Sequence, residues 1–129
     1  LSLVLFSIDG KDDLVARYGN DGFEFVLYAV GRMVLKSIRS YDILGRFDTH
    51  RFGVLLVNTA ANDAYLWAEK IRKAIASNIL TFQDKSFSVT VSAGVCGAVE
   101  GTTQEDFVKN ALHVLSKGIE RGGNLVRVF

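Results

Sequence analysis

Apolar and polar positions along this chain fall into segments of two periods. Leu1 to Ile8 (LSLVLFSI) is nearly continuous apolar sequence, the pattern of a strand covered on both faces. Asp9 and Gly10 end it. A short helix is expected over Lys11 to Tyr18, ending near Gly19, and Asn20 or Asp21 can cap the helix after it. Phe23, Val26, Leu27, Val30, Met33, Val34 and Ile38 recur at helical spacing and form one apolar stripe. Ile43 to Phe47 and Phe52 to Val57 read as two strands around a turn of Asp48, Thr49, His50 and Arg51. A helix over Ala61 to Ala76, with Asn62 or Asp63 near its start, sets Ala64, Trp67, Ala68, Ile71 and Ile75 on one face. Phe87 to Val95 alternates with period two and predicts a single strand with one buried face. Thr102 or Thr103 can cap a last helix, whose stripe is Phe107, Ala111, Val114 and Leu115. Gly122 and Gly123 stop it, and Leu125 to Phe129 closes the chain as a strand.

Strands alternating with helices around a hairpin predict an α/β (α+β) fold, a mixed central sheet flanked by helices. At 129 residues the chain is one domain, residues 1–129, read as a piece of a longer multidomain protein because it begins at Leu1. Hydrophobic residues make up 49% and charged residues 22%, which suits a packed core and excludes a disordered tail. A net charge of +1 gives no electrostatic case for a nucleic-acid partner. No apolar run is long enough to span a bilayer, so no membrane contact is expected. The single cysteine, Cys96, leaves no internal disulfide and fits a cytoplasmic, reducing location.

Several stretches in order resemble the GGDEF family of diguanylate cyclase domains. LVLFSIDG resembles that family's first strand and metal turn, and YGNDGFE (Tyr18 to Glu24) its entry to the long helix. YDILGRFDTHRFGVLL (Tyr41 to Leu56) resembles the signature hairpin with its flanks. AEKIRKAI (Ala68 to Ile75) and SVTVSAGV (Ser88 to Val95) resemble the next helix and a late strand. The resemblance covers essentially the whole chain. It implies a cyclase-like sheet with surrounding helices.

The resemblance also implies a chemistry. Members join two GTP molecules into cyclic di-GMP, and divalent metal held by carboxylates neutralises phosphate charge. At the family's first metal-binding position this chain has Ser7; Asp9 lies two residues on. The signature of two glycines, two acids and a phenylalanine reads Asp48, Thr49, His50, Arg51, Phe52, and only Phe52 matches. Asp48 adds a charge expected to repel phosphate, and Arg51 puts a cation where an acid belongs. The guanine-binding asparagine is replaced by Val15, the guanine-binding aspartate by Glu24, and the glycine before it by Phe23. The late phosphate-binding lysine and arginine fall at Ile119 and Gly123, with Lys117 and Arg121 the nearest alternatives. On these losses the chain is expected not to be an enzyme, with no catalytic residues, no metal and no cofactor.

One constellation is retained. Arg39-Ser40-Tyr41-Asp42 stands five residues before the hairpin signature, where the family carries an Arg-x-x-Asp product-inhibition site. An arginine fork can donate to guanine O6 and N7 together. Lys70 falls at the family's basic position on the next helix. The resemblance therefore implies a cyclic di-GMP receptor or regulatory module using Arg39, Asp42 and Lys70. The plainer reading of the pair is an inherited surface ion pair. The main alternative is a dimerisation or partner-interaction module without a nucleotide, for example one holding a neighbouring EAL-type domain. A GTP-sensing domain and an active cyclase complete the set. His50 and His113 lack ligand spacing, Cys96 reads as a small residue near a strand end, and Trp67 reads as packing.

Overall fold

The apolar run at the start of the chain becomes the middle strand of a five-stranded sheet. The computed structural model describes residues 1–129. In chain order the elements are β1 (Ser2–Ile8), α1 (Lys11–Leu35), β2 (Ile43–Arg46), β3 (Arg51–Leu56), α2 (Ala61–Ser77), β4 (Leu80–Phe82), β5 (Lys85–Phe87), β6 (Val91–Gly97), α3 (Gln104–Glu120) and β7 (Val126–Val128). The sheet order is β2-β3-β1-β6-β7, antiparallel except for the parallel pair of β6 and β7. It is the mixed sheet expected, with the β2–β3 hairpin at one edge. All seven residues of β1 are buried, because helices cover both faces. Val4, Phe6 and Ile8 face a core shared with α1 and α2. Leu3 and Leu5 face a smaller one made with Phe107, Ala111 and Leu115 of α3. Phe52 stacks on its cross-strand partner Phe6 with ring centroids 5.3 Å apart.

Gly19 breaks α1 with φ +74° and ψ 178°, a conformation glycine adopts without steric cost, so the two helices expected from the sequence meet there. The stripe from Phe23 to Val34 is buried except for Met33, which packs at its edge; the helix stops before Ile38. Thr103 caps α3 by accepting from the Asp106 amide at 3.1 Å. Gly94 lets α3 settle onto the sheet, since a Cβ there would lie 2.7 Å from the Leu115 nitrogen.

The expected single strand over Phe87 to Val95 is corrected. It is two strands, with the chain leaving the pairing at Ser88 to Thr90. β5 turns back on β4 as a separate hairpin through Gln83 (φ 49°) and Asp84 (φ 64°), the backbone of a two-residue primed turn. Tyr18 stacks on Phe87 at 4.2 Å and Phe25 meets Phe82 at 5.3 Å, so this hairpin closes over α1. β6 is covered on both faces, with Val91 to Cys96 all buried. Ser92 satisfies its hydroxyl on Asp9, which removes the cost of burying a polar group. No helix is long and apolar enough to cross a membrane.

Candidate functional site

Two places on the molecule concentrate charged side chains supplied by more than one element. The first lies where the exit of α1, the start of β2 and the β3–α2 link meet. It is an open cavity of about 390 Å³, lined by Ser37, Arg39, Asp42, Asn58, Thr59, Asp63 and Trp67 above Leu56. The chain turns between Arg39 and Asp42 because both the backbone and the aspartate close the turn. The Asp42 amide donates to the Arg39 carbonyl at 3.0 Å, and the Arg39 amide donates to Asp42 Oδ2 at 3.0 Å.

The Asp42 side chain is 1% exposed and accepts four hydrogen bonds. Oδ2 takes the Arg39 amide and Nε (2.9 Å); Oδ1 takes Arg39 Nη2 (3.1 Å) and the Val57 amide (2.9 Å). The Arg39 guanidinium, opposed by burial and helped by the two amides, holds the Asp42 carboxyl at about 2. Arg39 Nη2 also reaches the Val57 carbonyl at 2.9 Å and Thr59 Oγ1 at 2.8 Å. One face of the guanidinium lies over the Tyr41 ring, 4.7 Å from its centroid. Nη1 takes no protein acceptor, and the Arg39 side chain is 45% exposed.

Arg39 and Asp42 are thus brought together as expected. All four hydrogen bonds to the Asp42 carboxylate come from Arg39 and Val57. Lys70 is exposed and does not line the cavity. It stands one turn beyond Trp67 on the face that carries Asp63 and Trp67. Trp67 packs edge-on to Phe6 at 5.9 Å, as expected, and its Nε1–H donates to the Ser37 carbonyl at 3.2 Å. It also lines the cavity, which the sequence reading missed along with Thr59 and Asp63. The spacing of Asp63, Trp67 and Lys70 at i, i+4 and i+7 was the available signal.

The second place is the end of β1 with the β2–β3 turn. Asp9 accepts from Thr90 Oγ1 (2.7 Å), Ser92 Oγ (2.7 Å) and the Asn124 amide (2.8 Å). It ties the end of β1 to β6 and to the link before β7. A Cβ at Gly123 would sit 2.7 Å from the Asp9 carboxylate, so glycine is required there. No three His, Cys, Asp or Glu side chains are grouped as a metal centre needs, and no step through a metal is derived from this place. In the turn, Asp48 accepts from the His50 amide (3.0 Å), the Arg51 amide (2.8 Å) and Arg51 Nε (2.7 Å). Burial would raise the Asp48 carboxyl; the bonds from Arg51 and the His50 amide outweigh it and hold it at about 2. Asp48 is therefore a charge matched by Arg51 within the turn.

The remaining positions compared with the family have local roles. Phe23 is core, with Lys11 Nζ over its ring at 5.4 Å. Val15 packs at the core edge. Glu24 is exposed, 3.9 Å from Arg46. Ile119 is exposed, and Lys117 lies 3.7 Å from Glu120. Cys96 is buried, and burial raises its thiol.

A family model described as "Diguanylate cyclase, GGDEF domain" matches residues 1–125. Diguanylate cyclase A of Treponema denticola is 32% identical over 95 residues, 74% of this chain and 26% of that protein. Probable diguanylate cyclase DgcF of Escherichia coli O157:H7 is 31% identical over 111 residues, 84% of this chain and 24% of that protein. The GGDEF domain of DgcB from Caulobacter crescentus, solved in complex with c-di-GMP, superposes with a TM-score of 0.93. At 19% identity, over 98% of this chain and 76% of that one, that likeness shows the fold. The chain spans about a quarter of the length of the two curated relatives. These relatives, both named as diguanylate cyclases, overturn the expectation that the chain is not an enzyme. That expectation weighed single positions, namely Ser7, the β2–β3 turn, Val15, Phe23, Glu24, Ile119 and Gly123, whereas the match runs over nearly the whole chain.

Proposed function

The chain belongs to the GGDEF family of diguanylate cyclase domains, and from that premise we propose that it binds cyclic di-GMP at the Arg39 cavity and acts there as a regulatory domain. The observation that carries the proposal is the mounting of Arg39. A buried aspartate, a carbonyl and a hydroxyl fix its guanidinium at the mouth of a cavity, with Nη1 left unpaired. A pre-positioned planar cation loses little freedom on binding. The free Nη1 can donate to an acceptor on the guanine edge, O6 or N7. Lys70, exposed one turn further along α2, supplies charge for a phosphate at the rim. The DgcB domain solved with c-di-GMP has the same fold, which supports this ligand class.

Calorimetric titration of the domain with cyclic di-GMP tests the proposal. Micromolar or tighter binding is expected. Arg39→Lys keeps a charge beside Asp42 but removes the fixed Nη1 donor, and is expected to weaken binding at least tenfold, about the worth of one charge-assisted hydrogen bond. Unchanged binding in Arg39→Lys would sink the proposal. Absence of binding in the parent would leave dimerisation or partner contact as the reading to pursue.

A further inference from the structure

We propose that the open edge of β2 is a docking seam for a second copy of this chain, joined strand to strand about a two-fold axis. The inference is independent of the cyclic di-GMP reading. β2 ends the sheet on its side, and its residues are exposed except for Leu44, which is half-buried. The Phe47 amide donates to the Arg51 carbonyl at 2.9 Å, which marks these two as a hydrogen-bonded pair. Alternation along an antiparallel ladder then gives Gly45 and Ile43 the bonds to Gly53 and Leu55. Leu44 and Arg46 turn their N–H and C=O groups outward, to a side where no strand lies.

An edge of this kind is a template for another strand unless it is blocked. Proline or a bulge would block it; the chain contains no proline, and the β2–β3 register runs without a bulge. The one charge on β2, Arg46, is offset by Glu24 at 3.9 Å. Both faces of the edge have room for added side chains. On the α1 face an open cleft of about 310 Å³ is lined by Leu27, Tyr28, Leu35 and Leu44. On the α3 face one of about 200 Å³ is lined by Leu5, Ile43, Phe47 and Leu55. Tyr28, Leu35, Ile43 and Phe47 are exposed. Gly45 borders both clefts. Nothing within the chain requires glycine there: its φ is not positive, and a Cβ would meet no atom within 4 Å. A glycine inside a strand marks a place where another backbone approaches closely.

The β2 of a second copy fits this edge because the edge is symmetric about Gly45. In an antiparallel pair centred on Gly45, Leu44 of each copy meets Arg46 of the other, and the two exchange their outward N–H and C=O groups. Gly45 faces its own counterpart in a non-hydrogen-bonded pair, where the backbones come closest. On the α3 face Ile43 of each copy lies beside Phe47 of the other, an apolar cross-strand pair. On the α1 face Arg46 is set opposite Leu44 of the other copy, in the cleft walled by Tyr28, whose ring can take a cation. The patch is thus self-complementary, as a two-fold contact requires. An unrelated strand would make the same backbone bonds without these matched pairs.

Sedimentation velocity of the nucleotide-free domain across the micromolar range tests the proposal, with amide hydrogen exchange followed by NMR at both ends of that range. A monomer–dimer equilibrium is expected. Exchange at Leu44 and Arg46 is expected to slow at least about tenfold in the concentrated sample, while the Gly45 amide, bonded within the hairpin, is unchanged. Ile43→Lys sets a charge in the seam and is expected to weaken association at least about tenfold. Ile43 is 59% exposed, so the variant is expected to melt with the parent. Leu66→Lys is the control: Leu66 is 64% exposed on α2 and lines neither cleft, and association is expected to be unchanged. A parent that stays monomeric throughout overturns the proposal. A dimer that Ile43→Lys leaves intact, or one in which Leu44 and Arg46 gain no protection, also overturns it, because another face then makes the contact. Association seen only after cyclic di-GMP is added overturns it as well and leaves the Arg39 reading standing.

Discussion

The molecule contains two Arg–Asp pairs three residues apart, written in opposite order, and they serve different ends. Asp48 and Arg51 close a turn. Every partner of Asp48 lies between His50 and Arg51, and Arg46 adds bonds to the carbonyls of Asp48 and Thr49. Arg39 and Asp42 also close a turn, but their remaining bonds go to Val57 and Thr59, across the β3–α2 link. Both carboxyls are held at about 2, so their acidity does not tell them apart. Exposure does: the Asp42 side chain is 1% exposed and that of Asp48 28%. A local pair shapes a turn. A pair with long-range partners joins two elements and leaves its cation fixed over a cavity.

The largest effect expected from this contrast is on stability. Asp42→Asn removes a buried charge on which four donors converge, while Asp48→Asn keeps an acceptor for the turn amides and stays partly solvated. Asp42→Asn is expected to cost about 3 kcal/mol, the lower end for breaking a buried pair, because Arg39 remains hydrated. Asp48→Asn is expected to cost about 1 kcal/mol. Urea unfolding of the three proteins measures both. Equal losses would show that the two pairs are alike in kind.

Acid unfolding tests what the two pairs share. Both carboxyls titrate lower in the folded chain than their unfolded value of about 4. Such a group contributes in full above its unfolded value, and the contribution is lost as pH falls through the folded one. Stability is therefore expected to drop between about pH 4 and about pH 2, and because the two carboxyls are held alike, either Asp48→Asn or Asp42→Asn is expected to make that drop shallower than in the parent by a similar amount. Melting temperatures taken across that window would contradict this if either variant kept the parent's slope.

Much of this was legible in the sequence, for physical reasons that differ from place to place. The α1 stripe and the break at Gly19 follow from helical periodicity and from glycine's freedom at positive φ. The pair Arg39–Asp42 was singled out through the family resemblance, and a spacing of three residues is short enough for one turn to bring the two together. The β4–β5 hairpin was not, because its turn is Gln83–Asp84, which lacks the glycine that usually marks a primed turn. The alternation of Phe87 to Val95 concealed the break at Ser88 to Thr90. Asp63 and Thr59 were missed because the cavity exists only through the meeting of the α1 exit with a link some twenty residues later. The saturation of Asp42 has the same origin: half of Oδ1 is taken by Val57, which no local pattern foretells.

The smallest effect bears on which atom fixes Arg39. Its Nη2 has two hydrogens and three acceptors in reach, at Asp42 Oδ1, the Val57 carbonyl and Thr59 Oγ1. The Thr59 hydroxyl in turn donates to the Val57 carbonyl at 3.0 Å. Thr59→Val removes one of three competing acceptors and leaves the other two, so no hydrogen of Nη2 loses every partner. The cost is expected to be about 0.5 kcal/mol, the low end for a hydrogen bond in folding. Thr49→Val in the other turn removes only a 3.4 Å contact to His50 Nδ1 on an exposed residue, and no measurable change is expected. Urea midpoints resolve the difference. A loss of about 2 kcal/mol or more in Thr59→Val would mean that the hydroxyl, and not the buried carboxylate, fixes the guanidinium, and the distinction drawn between the two pairs would fail at its centre.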